Sequence, residues 1–222
     1  MLRGTPARIT RKISKTFGHR SVSNCSFIPE ESSKTKDATA FSSASFFLRA
    51  QKKMAGTFGS RQAMKVFSGN ASNKILDDLY VCLKVHYGKT MAEKVVKYII
   101  KISIKLFLVE QEGIIVEKDQ IIITKLTKVV RNLALTFVSF VDVDYSYDRA
   151  FLTKQMDELQ TYFCHLVDTY LSDKSSKRLE FVFTQLNSSK LHDAIFKIGG
   201  ELDSNKKAIA ANLSELLDKN EI

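Results

Sequence analysis

The 222-residue chain carries 34 Lys/Arg against 24 Asp/Glu, is 44% hydrophobic, and has only nine glycines and two prolines. That apolar fraction argues against a disordered chain, and so few turn residues argue against an architecture of many short strands. Three widely spaced cysteines, Cys25, Cys82 and Cys164, argue against a disulfide framework and favour inert thiols in a reducing compartment.

The charge is unevenly placed. Residues 1–70 hold 13 Lys/Arg against Glu30, Glu31 and Asp37, whereas residues 71–222 hold 21 of each sign. The excess therefore belongs to the first third, and its expected partner is an anionic surface, membrane headgroups before nucleic acid. No apolar run reaches the ~18–20 residues of a membrane span, and the N-terminus lacks the apolar core of a secretory signal. These features predict a cytoplasmic protein that meets membranes peripherally.

Residues 1–40 are basic, Ser/Thr-rich and free of acids before Glu30, which reads as a disordered tail. Ile9, Ile13 and Phe17 recur at four-residue spacing beside Arg8, Arg11, Lys12 and Lys15. A plain tail, a mitochondrial presequence and a short membrane-contact helix all fit this pattern. Residues 41–222 form the predicted domain. Within it, residues 43–67 predict one or two helices, with an interruption near Gly56 or Gly59. Phe46, Phe47, Ala50, Met54 and Phe58 give one face, and Arg49, Lys52, Lys53 and Arg61 the other. Basic amphipathic helices lie on anionic membranes or are ordinary helices with a solvated side.

Ser72 is the expected N-cap of a helix over 73–87, with Ile75, Leu76, Leu79, Tyr80 and Leu83 inward. Thr90 is the expected cap of the next helix, which runs to Val109. Its lysines at 94, 97, 101 and 105 share roughly 80° of arc, and apolar side chains cover most of the remainder. A surface helix needs an apolar stripe of only about 100°, so this one is enclosed on several sides or walls an apolar ligand. Residues 118–141 repeat the wide apolar arc, with Lys125, Lys128 and Arg131 on another side.

Further helices are expected over 148–171, over 176–187 capped by Ser175 or Ser176, over 190–198 stopped by Gly199-Gly200, and after a cap at Asp203 or Ser204. The fold class is all-α: an antiparallel bundle of about six to seven helices. No P-loop, dinucleotide fingerprint, His-Glu-x-x-His or Cys-x-x-Cys occurs, and the four histidines are scattered, so no enzymatic chemistry is expected. Asp142, Asp144 and Asp148 begin like a calcium loop but lack its glycine and glutamate, which leaves turn and capping duty.

Several stretches together resemble the tumour necrosis factor alpha-induced protein 8 (TIPE) family. They are Ala50-Gln51-Lys52-Lys53, Leu76-Asp77-Asp78-Leu79-Tyr80, and the helix with Lys97, Lys101, Ile104 and Lys105. Ala134-Leu135-Thr136-Phe137-Val138-Ser139-Phe140, continuing through Val143 to Arg149, is the most specific. Lys174-Ser175, Arg178, Val182-Phe183 and Leu217-Asp218 follow in family order, and the likeness spans residues 41–222.

The resemblance implies a helical bundle around a large apolar cavity that takes phospholipid tails, with basic residues meeting phosphoinositide headgroups. It implies roles in inflammation, cell survival and apoptosis. Carried over, Lys52 and Lys53 match the basic pair of the first helix, and Lys101 and Lys105 match family lysines. The expected headgroup or membrane set is Arg49, Lys52, Lys53, Lys101, Lys105, Lys125, Lys128 and Arg131. The expected cavity lining is Ile99, Ile102, Leu106, Ile122, Leu126, Val130, Leu133, Phe137, Leu159 and Phe163. Where the family often places an arginine after the striped helix, this chain has Glu110-Gln111-Glu112, and Thr127 stands at a second basic position.

The expected ligand is thus a bound phospholipid, with no metal and no other cofactor. Partners are phospholipids, phosphoinositides and an anionic membrane surface, together with signalling proteins such as small GTPases; nucleic acid is not among them. The alternative is a helical adaptor that regulates apoptosis or GTPase signalling through protein contacts, its wide apolar arcs serving only as core.

Overall fold

The long apolar arcs of residues 89–142 demand neighbours on several sides, and a ring of helices supplies them. The computed structural model describes residues 41–55, 70–143 and 145–222. Readings that fall on residues 1–40, Gly56, Phe58, Gly59, Arg61 and Asp144, and on the Lys53 and Met54 side chains, lie outside the described residues.

The helices are α1 (Ser43–Ala55), α2 (Asn70–Tyr87), α3 (Lys89–Gln111), α4 (Glu117–Asp142), α5 (Arg149–Tyr170), α6 (Asp173–Leu186), α7 (Ser189–Phe196) and α8 (Asp203–Asp218). Among the described residues there are eight helices, against about six to seven expected, and no strand. Six of them close a ring within the unit Ser42–Ile222: α2 packs on α3, α3 on α6, α6 on α5, α5 on α4, α4 on α8, and α8 on α2. Pairs that face each other across the ring, α2 with α5, α3 with α4 and α6 with α8, are not closely packed. The two helices outside the ring are short and stand where helices were expected: α1 lies against α2 and α3, and α7 against α2, α5 and α8.

Several helix starts differ from the expected caps. Gly88 alone separates α2 from α3; its φ of 82° lets the chain reverse in one residue, so α3 begins before Thr90. Ser72 lies inside α2, and α6 begins at Asp173 after Ser172, so Ser175 sits buried in the first turn. Neither Asp203 nor Ser204 caps α8; Asp203 is its first residue, and its carboxylate pairs with Lys206 at 2.8 Å and Lys207 at 2.7 Å. Asp148 does cap α5, accepting from the Phe151 N–H at 3.0 Å.

Two apolar clusters fasten the ring. Val109, Ile115, Leu166 and Tyr170 pack with Leu106, Ile114, Ile122, Ile123 and Leu126, joining the α3–α4 turn to α5. Towards the C-terminal end of α4, the Phe196 ring lies 5.0 Å from Phe137, 5.5 Å from Phe140 and 4.8 Å from Tyr147. The Tyr147 hydroxyl and the Arg149 guanidinium both donate to Asp193 of α7. Each of these clusters ties a loop or a short helix to the ring.

Candidate functional site

Residues of the expected lining fall into two groups. Ile102 and Leu159 are buried, whereas Ile99, Leu106, Ile122, Leu126, Val130, Leu133, Phe137 and Phe163 are only half-buried. Their arrangement on each helix is orderly. On α3, Ile99, Ser103 and Leu106 occupy the side opposite the lysine stripe, and all three are half-buried. The flanking residues, Ile100 and Ile104 to one side and Ile102 and Val109 to the other, are buried.

Helix α4 repeats the pattern. Leu126, Val130, Leu133 and Phe137 form the middle of its apolar arc and are half-buried, while Val129 and Ala134 at the edges are buried. A filled bundle would reverse this order, because the middle of an apolar arc meets the most neighbours. Over Ile99–Val109 of α3 and Leu126–Phe137 of α4 the middle is less enclosed than these edges, whereas Ala92 and Val96, earlier on the same side of α3, are fully buried.

The expected cations do not converge on one point. Lys125 and Lys128 are exposed on α4, across the ring from α3, and the Arg131 guanidinium donates to the Ile222 oxygen. Arg49 and Lys52 are exposed on α1. That helix is held in place because the Ser43 N–H donates to the Asp77 carboxylate at 2.7 Å and the Ser43 hydroxyl to the Asn73 carbonyl at 3.0 Å. The Phe46 ring lies 5.8 Å from the Lys97 ammonium and 5.6 Å from that of Lys101. Helix α1 therefore meets the lysine stripe of α3 through Phe46.

The other side of that stripe meets residues outside the expected set. Lys105 donates to the Ser175 hydroxyl of α6 at 2.8 Å. Burial lowers the pKa of its ammonium, and Arg178, Lys174 and Lys101 lower it further by like-charge repulsion. Lys94 stands 4.2 Å from the Phe181 ring, and Arg178 stands 5.2 Å from the Tyr98 ring. Lys174, Lys177 and Arg178 were legible as an unusual pattern: three cations in the first two turns of α6, at the positive end of the helix dipole.

The Tyr98, Lys97, Lys101, Lys105 and Arg178 side chains thus belong to one outer face built by α1, α3 and α6. Among the described residues, no cluster of three or more His, Cys, Asp or Glu suited to a metal ion occurs, and no helix is long and apolar enough to cross a membrane.

Comparison with known proteins gives a consistent result. The sequence model of a family described as "Tumor necrosis factor alpha-induced protein 8-like" matches residues 41–220. A protein named "Tumor necrosis factor alpha-induced protein 8-like protein" from Drosophila pseudoobscura pseudoobscura is 30% identical over 183 residues, covering 82% of this chain and 97% of that protein. "Tumor necrosis factor alpha-induced protein 8" from Homo sapiens is 28% identical over 193 residues, covering 86% of this chain and 98% of that protein. "Tumor necrosis factor alpha-induced protein 8-like protein 1" from Gallus gallus is 27% identical over 183 residues, covering 82% and 98%.

Proposed function

Because the chain belongs to the tumour necrosis factor alpha-induced protein 8-like family, we propose that it is a lipid-binding protein of tumour necrosis factor-related signalling, which holds phospholipid acyl chains inside its helical ring. The single observation that carries this reading is the inverted burial order over Ile99–Val109 of α3 and Leu126–Phe137 of α4. Ile99, Leu106, Leu126, Val130 and Leu133 sit in the middle of their apolar arcs and are less buried than the residues beside them. Acyl chains would cover these side chains, at about 0.8 kcal/mol per buried CH₂, so a two-chain lipid would be a strong ligand.

Positioning on a membrane would fall to the outer face. Arg49 and Lys52 are exposed on α1, whose Phe46 meets Lys97 and Lys101 of α3, and Lys105 follows on the same stripe. Each basic residue near an anionic leaflet contributes about 1 kcal/mol, so a row of them would hold the protein there reversibly. The protein would act in the cytoplasm, peripherally on membranes, in the control of inflammation, survival and apoptosis, and without catalysis.

Native mass spectrometry of the purified full chain tests the reading. Co-purified phospholipid, released on denaturation, is the expected result; a lipid-free mass in several independent preparations would refute it.

A second reading, a helical adaptor for death or GTPase signalling, draws on the outer side of α4. There Ile121 and Leu135 are 60% and 46% exposed, on one stripe with Lys128 between them. Two apolar side chains at that spacing are a small patch, and the lipid reading accounts for more of the chain.

A further inference from the structure

Three features outside the ring interior remain unused by the lipid reading. The Asp119–Tyr170–His165 cluster is a set of satisfied hydrogen bonds within the fold. An open hollow at the α4–α5 turn, about 1010 Å³ and bordered by Tyr145 to Asp157, has charges of both signs. The third is a groove of about 430 Å³ between α3 and α6, with Lys94, Tyr98, Lys174, Lys177, Arg178 and Phe181 along its walls.

We propose that this α3–α6 groove is a binding site for a compact anion bearing two or more phosphates. Four cations border a space large enough for a phosphorylated ring, with Asp173 as the one acid of the lining. None of Lys94, Lys174, Lys177 and Arg178 lies within 4.0 Å of a carboxylate among the described residues. Two of them rest on aromatic rings: Lys94 on Phe181, and Arg178 on Tyr98. The two rings also meet edge to face at 5.7 Å, so the platform is fixed. Aromatic contact orders a cation without neutralising it, which leaves the charge for a ligand.

The cost of the arrangement points the same way. Lys174, Lys177 and Arg178 crowd the N-terminal half of α6, where the helix dipole is already positive. Lys105, bound to Ser175 at the base of that turn, is held below the ordinary lysine range first by burial and then by Arg178, Lys174 and Lys101. A multivalent phosphate would relieve that repulsion, pair with Arg178 through its planar fork, and meet the dipole of α6.

The groove opens on the lysine side of α3, opposite Ile99, Ser103 and Leu106. Its ligand is therefore not the headgroup of a lipid whose tails lie within the ring. The same chemistry is offered by a free inositol polyphosphate and by a headgroup displayed on a membrane. The inference borrows from the lipid reading only the expectation that this face meets phosphate.

Calorimetric titration of the full chain with inositol 1,4,5-trisphosphate tests it, beside sedimentation with phosphatidylcholine vesicles that contain either phosphatidylinositol 4,5-bisphosphate or phosphatidylserine. The double variant Lys174→Glu with Arg178→Glu is expected to weaken trisphosphate binding about tenfold or more, as the loss of two charge-assisted contacts requires. The charge-matched pair Lys84→Glu with Lys154→Glu, exposed on α2 and α5, should change it by no more than about twofold.

Should the first pair fail to fold, Lys94→Gln with Lys177→Gln, both exposed, neutralises two cations of the same groove, half the charge change. Binding of the soluble trisphosphate identifies a free ligand. Binding only on bisphosphate vesicles, lost in the groove variants, identifies a lipid headgroup. The proposal is overturned if neither probe binds, or if the groove variants bind as the native chain does. It is equally overturned if the control pair weakens binding to the same degree. Phosphatidylserine vesicles and co-purified phospholipid report on the lipid reading separately, so the two can fail independently.

Discussion

The Tyr170 hydroxyl donates a 2.6 Å hydrogen bond to the Asp119 carboxylate and accepts one from the Val116 N–H at 3.1 Å. One oxygen atom thereby links the end of α5 to the turn before α4 and to the first turn of α4. The His165 Nε2 lies 3.1 Å from the other Asp119 oxygen, so this buried carboxylate has a partner on each side. Both donors, Tyr170 first, hold the Asp119 carboxyl below the usual carboxylate range.

Tyr170→Phe should therefore cost about 1–3 kcal/mol, because it removes a hydrogen bond to a buried charge and leaves the Val116 N–H without its acceptor. The midpoint of urea unfolding would fall while its slope stays constant. An unchanged midpoint would mean that the apolar cluster of Val109, Ile115 and Leu166 holds the turn without help.

His192 of α7 predicts a pH dependence. It is 4% exposed, and its Nε2 donates to the Leu186 carbonyl at 2.7 Å, while Nδ1 is buried without a partner. Burial lowers its pKa, with Asp193 opposing and Arg149 assisting the shift. The folded chain thus resists the proton that the unfolded chain accepts near pH 6.5. Stability is full above that pH and falls as pH drops from there towards the lower folded-state pKa. Unfolding curves from pH 7.5 to 5 should show the decline, and His192→Gln, which keeps a donor for Leu186, should flatten it. An equal decline in the variant would assign it to other groups.

Filling the ring distinguishes a hollow bundle from a packed one. In a packed core, Leu133→Trp or Ser103→Phe forces side chains off their rotamers and costs about 1–3 kcal/mol. In a hollow one, the added rings occupy space meant for acyl chains. The expected result is less co-purified phospholipid with a nearly unchanged melting temperature after lipid removal. A large loss of stability with lipid content unaltered would mean that the middle of these arcs is ordinary core.

Much of this was legible in the chain. The over-wide apolar arcs of α3 and α4 announced neighbours on several sides, because helix periodicity places Ile99, Leu106, Leu126 and Leu133 by arithmetic alone. The lysine stripe was visible as a stripe, but its surroundings were not. The partners that give it meaning, Ser175, Arg178 and Phe181, lie more than seventy residues away from Lys94 in sequence and reach it only through the pairing of α3 with α6. Helix starts were misplaced where Gly88 and Ser172 set them, since a side chain able to cap is not the same as a backbone free to turn. The pairing of Asp119 with Tyr170 carried no local signal; a carboxylate on a first turn is commonplace until a buried hydroxyl is placed over it.

The basic side of α1 gives the last prediction. Lys52 is exposed and Lys53 follows it in sequence, on a helix whose Phe46 meets Lys97 and Lys101. At about 1 kcal/mol per cation near an anionic leaflet, Lys52→Glu with Lys53→Glu should weaken sedimentation with phosphatidylserine vesicles about thirtyfold or more. The native affinity should itself fall steeply between low and physiological salt, as a screened attraction must. Soluble trisphosphate binding in the α3–α6 groove should change little, because α1 contributes nothing to that lining. If the reversal leaves vesicle binding intact, membrane contact runs through α6 or α4, and the exposed Lys125 and Lys128 become the next pair to reverse.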